Sequence, residues 1–215
     1  MKNALKTLTF AGLLLATYSC NKREIVPAPE PKVDKKCHFF GRINGADVEL
    51  TENVNGYTGS SAIDLIVNSS TLDSAAYLST LSSTSQSQMA RVGHGSLVFD
   101  WGTSERPMLS NFQGFFSQAI NLNPNFSTRG LKGFCFTYVD IAGREWKSNS
   151  NHSYLNEKAL YTYTSSESDA TGDYLKFQVE FDTYIYRTWM NVIDSLYYTD
   201  SMLVTDAVYT GWYKR

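Results

Sequence analysis

The chain has 215 residues, of which 42% are hydrophobic, 14% are aromatic and only 19% are charged. A hydrophobic fraction of this size can form a folded core, so the composition excludes an intrinsically disordered protein. The formal net charge of −2 excludes the concentrated basic face that nucleic-acid binding needs, and we expect no nucleic-acid partner. The 14 tyrosines are typical of an exported β-protein.

The first twenty residues have the organisation of an export leader. Lys2 and Lys6 form a short positive region, and residues 8–17 form an apolar run. This run is too short to span a bilayer, which takes ~20 apolar residues. It ends at Ser19-Cys20, which resembles the lipobox of bacterial lipoproteins, in which the cysteine is acylated and becomes the first mature residue. The alternative is an ordinary secretory leader that leaves Cys20 as a free thiol.

The leader predicts how the protein is held in place. Residues 1–19 are the expected signal peptide, and acyl chains on Cys20, palmitate among them, would anchor the protein in the outer membrane, facing the periplasm or the cell surface. Residues 20–36 then carry the lipidated cysteine and a proline-rich tether, whose alternating prolines favour an extended conformation. The composition changes at Cys37, where a single domain over residues 37–215 is predicted to begin.

Two further cysteines, Cys37 and Cys135, fall in predicted strands. Outside the cytoplasm they could form one disulfide, which would close a long loop and contribute ~4 to 5 kcal/mol to stability on the loop-entropy model. Strand cysteines are also often buried free thiols. The sequence does not show whether the two Cα atoms come within ~7 Å, so both alternatives stay open.

Strand patterns dominate the domain. Asn44-Gly45 joins two short alternating runs and indicates a type I′ hairpin. Residues 174–186 alternate apolar and polar side chains and predict a long strand. Gly93-His94-Gly95 is typical of a flexible turn that precedes a strand.

A short helix is predicted over residues 110–120. Ser110 is a suitable cap, and Phe112, Phe115 and Phe116 fall at helical spacing. With about nine strands and at most one or two short helices, the chain is predicted to be mostly β, as an antiparallel β-sandwich or a barrel-like fold.

Several strand motifs together carry a resemblance to a known family. They are a Cys37-aromatic strand that runs into Ile43-Asn44-Gly45, a Gly133-Phe134 strand that leads to Tyr138-Val139-Asp140, Gly143 and Trp146, the strand Tyr174-Leu175-Lys176-Phe177, and a terminal Gly211-Trp212. Over most of residues 37–215 the chain resembles a set of small β-sandwich lipoproteins of Bacteroidota. The resemblance implies a β-sandwich without an established activity, and it transfers no catalytic residue.

Residues that could carry chemistry are scattered. The three histidines, His38, His94 and His152, have no partner at zinc-ligand spacing. The carboxylates of Glu167, Asp169 and Asp173 could form a calcium loop, but their spacing does not fit an EF-hand and favours a solvated acidic turn. We therefore expect no metal and no cofactor, and the sequence does not indicate an enzyme.

The candidate ligand-binding residues are Trp189, Tyr197 and Tyr198, in an aromatic-rich insertion over residues 187–200. Rings of this kind stack on sugar faces or anchor a protein partner. The alternative is that they cover an open end of the fold as a lid on its core. Trp146 is predicted to lie in the core itself.

The sequence is consistent with three functions. The first is a lipid-anchored envelope lipoprotein that binds a glycan or an envelope partner without catalysis. The second is a structural or accessory lipoprotein that docks on another protein during assembly. The third is a hydrolase whose site is built from scattered residues. The sequence leaves the ligand and the oligomeric state open.

Overall fold

The computed structural model of the chain describes residues 32–66, 73–99, 106–127, 133–149, 159–193 and 195–215. These residues belong to one compact unit, Lys32–Arg215. Its elements are β1 (His38–Ile43), β2 (Ala46–Thr51), β3 (Tyr57–Ile66), β4 (Asp73–Ser83), β5 (Met89–Phe99), α1 (Leu109–Ser117), α2 (Ala119–Leu122), β6 (Gly133–Val139), β7 (Glu145–Ser148), β8 (Leu160–Asp169), β9 (Gly172–Met190) and β10 (Tyr197–Lys214).

The ten strands form one antiparallel sheet in the order β2-β1-β10-β9-β7-β6-β5-β4-β3, with β8 paired to β9. The sheet curls into a half-barrel. The backbone N–H of Lys214 in β10 donates to Ser61 Oγ in β3 at 3.0 Å, which joins strands far apart in the sheet order. The prediction of a mostly antiparallel β fold with two short helices is confirmed, and the single curled sheet corresponds to the barrel-like alternative.

Local signals set two of the hairpins. Asn44 and Gly45 have φ angles of 50° and 79°, the left-handed values that the predicted type I′ turn requires. The alternating segment predicted over residues 174–186 is a strand, but it is longer: β9 spans 19 residues and pairs with β10 along nearly its whole length.

Aromatic side chains fill the concave side of the sheet, where α1 covers them. Phe112 and Phe116 are four residues apart on one face of the helix and are buried against Tyr77 and Tyr213. The predicted helix is therefore present, but its predicted cap is wrong. Met108 occupies the N-cap position without a side-chain bond, because burial of the phenylalanines places Ser110 inside the first turn.

The domain begins before the predicted boundary at Cys37. Val33 is buried in the core, and its backbone N–H donates to Asp169 Oδ2 at 3.0 Å. Lys35 Nζ lies 4.4 Å from the centroid of the Tyr174 ring. The last residues of the predicted tether therefore pack onto the fold, because the apolar side chain of Val33 is buried among other apolar side chains of the core. Cys20 and the leader lie outside the described residues.

Candidate functional site

The two longest strands extend past their neighbours as a hairpin over residues 187–200, which we call the arm. On one side, β7 pairs with β9 only at Ile185 and Tyr186. On the other side, the pairing of β1 with β10 begins at Val204. Within the described part of the chain, the strands of the arm therefore pair only with each other, from Arg187 to Met190 and from Tyr197 to Asp200.

Aromatic residues occupy both faces of the arm. Trp189 lies opposite Tyr198, and their rings stack with centroids 5.3 Å apart at 26°. Trp189 Nε1 also donates to Asp200 Oδ2 at 2.8 Å. Tyr197 lies opposite Met190 at the adjacent pair, whose side chains point to the other face because strand residues alternate.

The turn at the tip of the arm is held by its own hydrogen bonds. Asn191 N donates to Leu196 O at 2.9 Å, and Ser195 N donates to Asn191 O at 2.9 Å. Asn191 Oδ1 accepts the N–H of Ile193 at 3.1 Å. These bonds satisfy much of the backbone locally and direct the side chains of Val192 and Ile193 outward, where they are 84% and 95% exposed.

Large exposed apolar side chains are concentrated on this hairpin. Seven of the thirteen in the described residues lie on the arm: Trp189, Met190, Val192, Ile193, Leu196, Tyr197 and Tyr198. An aromatic side chain carries ~150–250 Å², so together these seven expose roughly several hundred Å² of apolar surface. That approaches the ~800 Å² that one partner contributes to a stable protein interface. These side chains are spread over the two faces and the tip of the arm.

The structure brings two of the three predicted aromatic residues together and places all three on a hairpin formed by β9 and β10. Trp189 and Tyr198 stack, whereas Tyr197 lies on the other face and is 75% exposed. The expected insertion is a direct continuation of β9 and β10. The exposed apolar side chains of the arm favour a free hairpin over a lid on the core. Sequence reasoning missed Val192 and Ile193, although their apolar side chains in a polar turn were a visible signal.

An acidic surface lies on β9 and β10 in the part of the sheet that precedes the arm. Glu180, Asp182 and Asp206 line a concavity of about 460 Å³ together with apolar residues of β9 and β10. A bulge in β10 between Val204 and Ala207 shapes it, and Asp206 in this bulge has a φ of 52°. The backbone N–H of Asp206 donates to Asp182 Oδ1 at 2.7 Å, which holds the Asp182 side chain against the bulge.

Cys37 and Cys135 are both buried free thiols, so of the two alternatives the disulfide is the one that the structure contradicts. Each sulfur packs against a different glycine: Cys37 against Gly59, and Cys135 against Gly93 on the neighbouring strand. Burial raises the pKa of each thiol to about 12, so both stay protonated and unreactive.

His94 lies inside β5 and is fully buried, so the predicted flexible turn at this position is wrong. Its Nδ1 is 3.0 Å from the hydroxyl of Tyr163, and its ring stacks on Tyr161 at 4.6 Å. Its Nε2 has no hydrogen-bond partner among the described residues. Burial lowers the pKa of His94 to about 3, which keeps the imidazole neutral. These contacts are those of a core residue. His152 lies outside the described residues.

The three carboxylates of the acidic turn each have a different partner. Glu167 pairs with Lys176 at 2.7 Å, and Asp173 pairs with Arg215 at 2.6 Å. Asp169 accepts the N–H of Val33. Among the described residues no group of three potential ligands could hold a metal ion. These side chains tie the turn to the rest of the fold.

No protein-family model matches the chain, and no match is found among the curated proteins or the solved structures. In the part of the chain that the structure describes, no helix has the length and apolar character needed to cross a membrane.

Proposed function

We propose that this chain is a lipid-anchored, non-catalytic protein of the bacterial envelope that docks onto another protein through the arm. The observation that carries this proposal is the concentration of exposed apolar side chains on a hairpin that leaves the sheet. In a monomer such surface is costly to hydrate and favours association. The partner's contacts would bury it.

The anchor is proposed from the Ser19-Cys20 leader, with Cys20 acylated and held in the outer membrane. The geometry of the domain suits this arrangement. Val33 is bonded to Asp169, beside the first residue of β9, whereas the arm continues from the last part of the same strand. A 19-residue strand rises by up to ~60 Å. The arm is therefore remote from the point where the upstream chain joins the fold, and a partner can approach it freely.

A protein partner fits the arm better than a glycan does. A sugar stacks on an open ring face and bonds to nearby polar groups, but Tyr198 covers one face of Trp189 and Asp200 takes its N–H. The most exposed side chains, Val192 and Ile193, are aliphatic. Apolar anchors of this kind bind in the pockets at the centre of protein interfaces.

Photo-crosslinking in cells tests the docking proposal. A photoreactive amino acid replaces Val192 at the tip of the arm and, as the control, Ile120 on α2, which is 78% exposed. We expect one discrete protein adduct from position 192, absent from position 120 and lost when Ile193→Asp is added. Equal products from both positions, or none, would contradict docking through the arm.

Two further measurements complete this test. A glycan array probed with the purified chain should give no signal that depends on the arm. Binding to a glycan that Trp189→Ala removes would instead support the glycan-binding alternative. For the anchor, Cys20→Ser should release the protein from the membrane fraction, and unchanged membrane retention would refute acylation at Cys20.

A further inference from the structure

A group of exposed carboxylates lies on the outer face of the sheet, on the parts of β2, β9 and β10 outside the arm. Cross-strand register places Glu49 of β2 and Glu180 of β9 in one row, through Phe40 and Val208, so their side chains point to the same side. The exposed carboxylates of this face are Asp47, Glu49, Glu180, Asp182 and Asp206. The face therefore has a strong negative charge on the part of the sheet that precedes the arm.

Several of these carboxylates already have a partner within the chain. His38 Nε2 lies 3.1 Å from Glu49 Oε1, and Lys147, which lies opposite Tyr186 on the same face, pairs with Glu145. Arg42 Nε lies 3.0 Å from Asp47 Oδ1, and its NH1 lies 3.4 Å from Asp206 Oδ2. Among the described residues, Glu180 and Asp182 take part in no ion pair: Glu180 accepts a bond from Gln178, and Asp182 accepts the N–H of Asp206. Glu180 and Asp182, which precede the arm on β9, thus remain available to a cation from outside the chain.

We infer that the partner's docking surface is an apolar cleft with lysine and arginine side chains along one lip. This inference rests on the proposed function, because it assigns a chemistry to the protein that the arm contacts. The tip residues Val192 and Ile193 enter the cleft, and the lip faces Glu180 and Asp182. Asp182 precedes Arg187 by five residues, or ~17 Å of strand, so the basic lip lies about that far from the start of the arm.

Charge complementarity of this kind acts mainly on association. Complementary potentials steer the encounter of two proteins and raise the association rate constant, and added salt screens them. The apolar tip, once buried, sets the dissociation rate. A lipid surface does not meet both the need for an apolar contact at the tip and the need for positive charge facing Glu180 and Asp182. The anionic headgroups that recruit proteins electrostatically would repel these carboxylates.

Association kinetics with the protein captured from position 192 test the inference. That protein is purified, and its binding to the chain is measured at 50 and 300 mM NaCl. We expect the association rate constant to fall about tenfold across this range. Glu180→Gln with Asp182→Asn should slow association severalfold at low salt, flatten the salt dependence and leave dissociation nearly unchanged. The matched control is Asp34→Asn with Asp64→Asn, which changes the net charge equally away from the arm.

The outcomes separate this inference from the proposed function. If Ile193→Asp abolishes binding while salt and the Glu180/Asp182 variant have no effect, docking through the arm stands and the basic lip is refuted. If both charge variants slow association equally, net charge rather than this face is responsible, and the inference also fails. Arm-dependent binding of the unacylated chain to anionic vesicles would identify a lipid surface instead and would overturn the inference. If no protein is captured, both proposals fall.

Discussion

His94 is a titratable side chain in a setting that strongly disfavours its charged form. Four aromatic rings surround it, those of Phe115, Phe116, Tyr161 and Tyr163, and within the described structure only its Nδ1 has a hydrogen-bond partner. Burial therefore lowers its pKa to about 3 from the ordinary value of 6.5. Below pH 6.5 the unfolded chain takes up a proton that the folded chain does not, so the free energy of unfolding falls as the pH falls.

We therefore expect His94 to lower the free energy of unfolding at acidic pH. Between pH 7.5 and pH 5 we expect a loss of about 2 kcal/mol in the free energy of unfolding from this group. Urea titrations at several pH values measure it. His94→Gln should remove this part of the pH dependence, whereas His38→Gln on the half-exposed surface of β1 should leave it. An unchanged slope in His94→Gln would contradict the neutral, buried imidazole.

At the scale of single elements, glycines reveal where strands and helices are crowded and where they are not. A Cβ on Gly93 would lie 2.7 Å from Cys135 Sγ and 2.8 Å from Leu78 Cδ2, so β4, β5 and β6 meet closely at this point. A Cβ on Gly114 in α1 would touch no atom within 4 Å in the described structure. The Gly-His-Gly sequence is thus a packing feature of a central strand. Sequence patterns alone favoured a turn because the packed neighbours are distant in the chain.

Alanine at these two glycines should have opposite effects. Gly93→Ala forces an overpacked contact and should cost ~1–3 kcal/mol, whereas Gly114→Ala should gain ~0.5–1 kcal/mol of helix propensity. Chemical denaturation measures both. Adding Cys135→Ala to Gly93→Ala should cost less than the sum of the single changes, because one clash is removed. Additive losses would show that Cys135 does not crowd Gly93.

An element could be predicted from the sequence when the interactions that determine it join residues close together in the chain. The turn at Asn44-Gly45 and the helix α1 could be predicted, because the turn preference and the helical spacing of the phenylalanines depend only on neighbouring residues. The cap at Ser110 was wrong because burial of those phenylalanines, a tertiary effect, decides where the helix starts. Of the candidate site, the aromatic residues were found, but their place on a projecting hairpin depends on where β1 and β7 stop pairing.

At the scale of the whole molecule, the curled sheet explains why the arm is exposed. β10 lies between β9 and β1, so the first and last parts of the described chain close the fold together. The core is complete below Ile185 and Val204, both fully buried, and the sheet neighbours of β9 and β10 end there. This long-range pairing could not be predicted from local patterns. Met202 still packs against the core, but among the described residues none of the arm, residues 187–200, belongs to it.

The assignment of the arm as a docking element outside the core is tested most directly by the free energy of unfolding of a chain in which Val192, Ile193 and Leu196 are all replaced by serine. Because these side chains lie beyond the core, we predict a value within about 0.5 kcal/mol of the wild type, as for other exposed positions. The same chain should lose the adduct formed by a photoreactive residue at Tyr197. A loss of more than about 2 kcal/mol would show instead that the arm packs into the fold, and would contradict its assignment as a docking element.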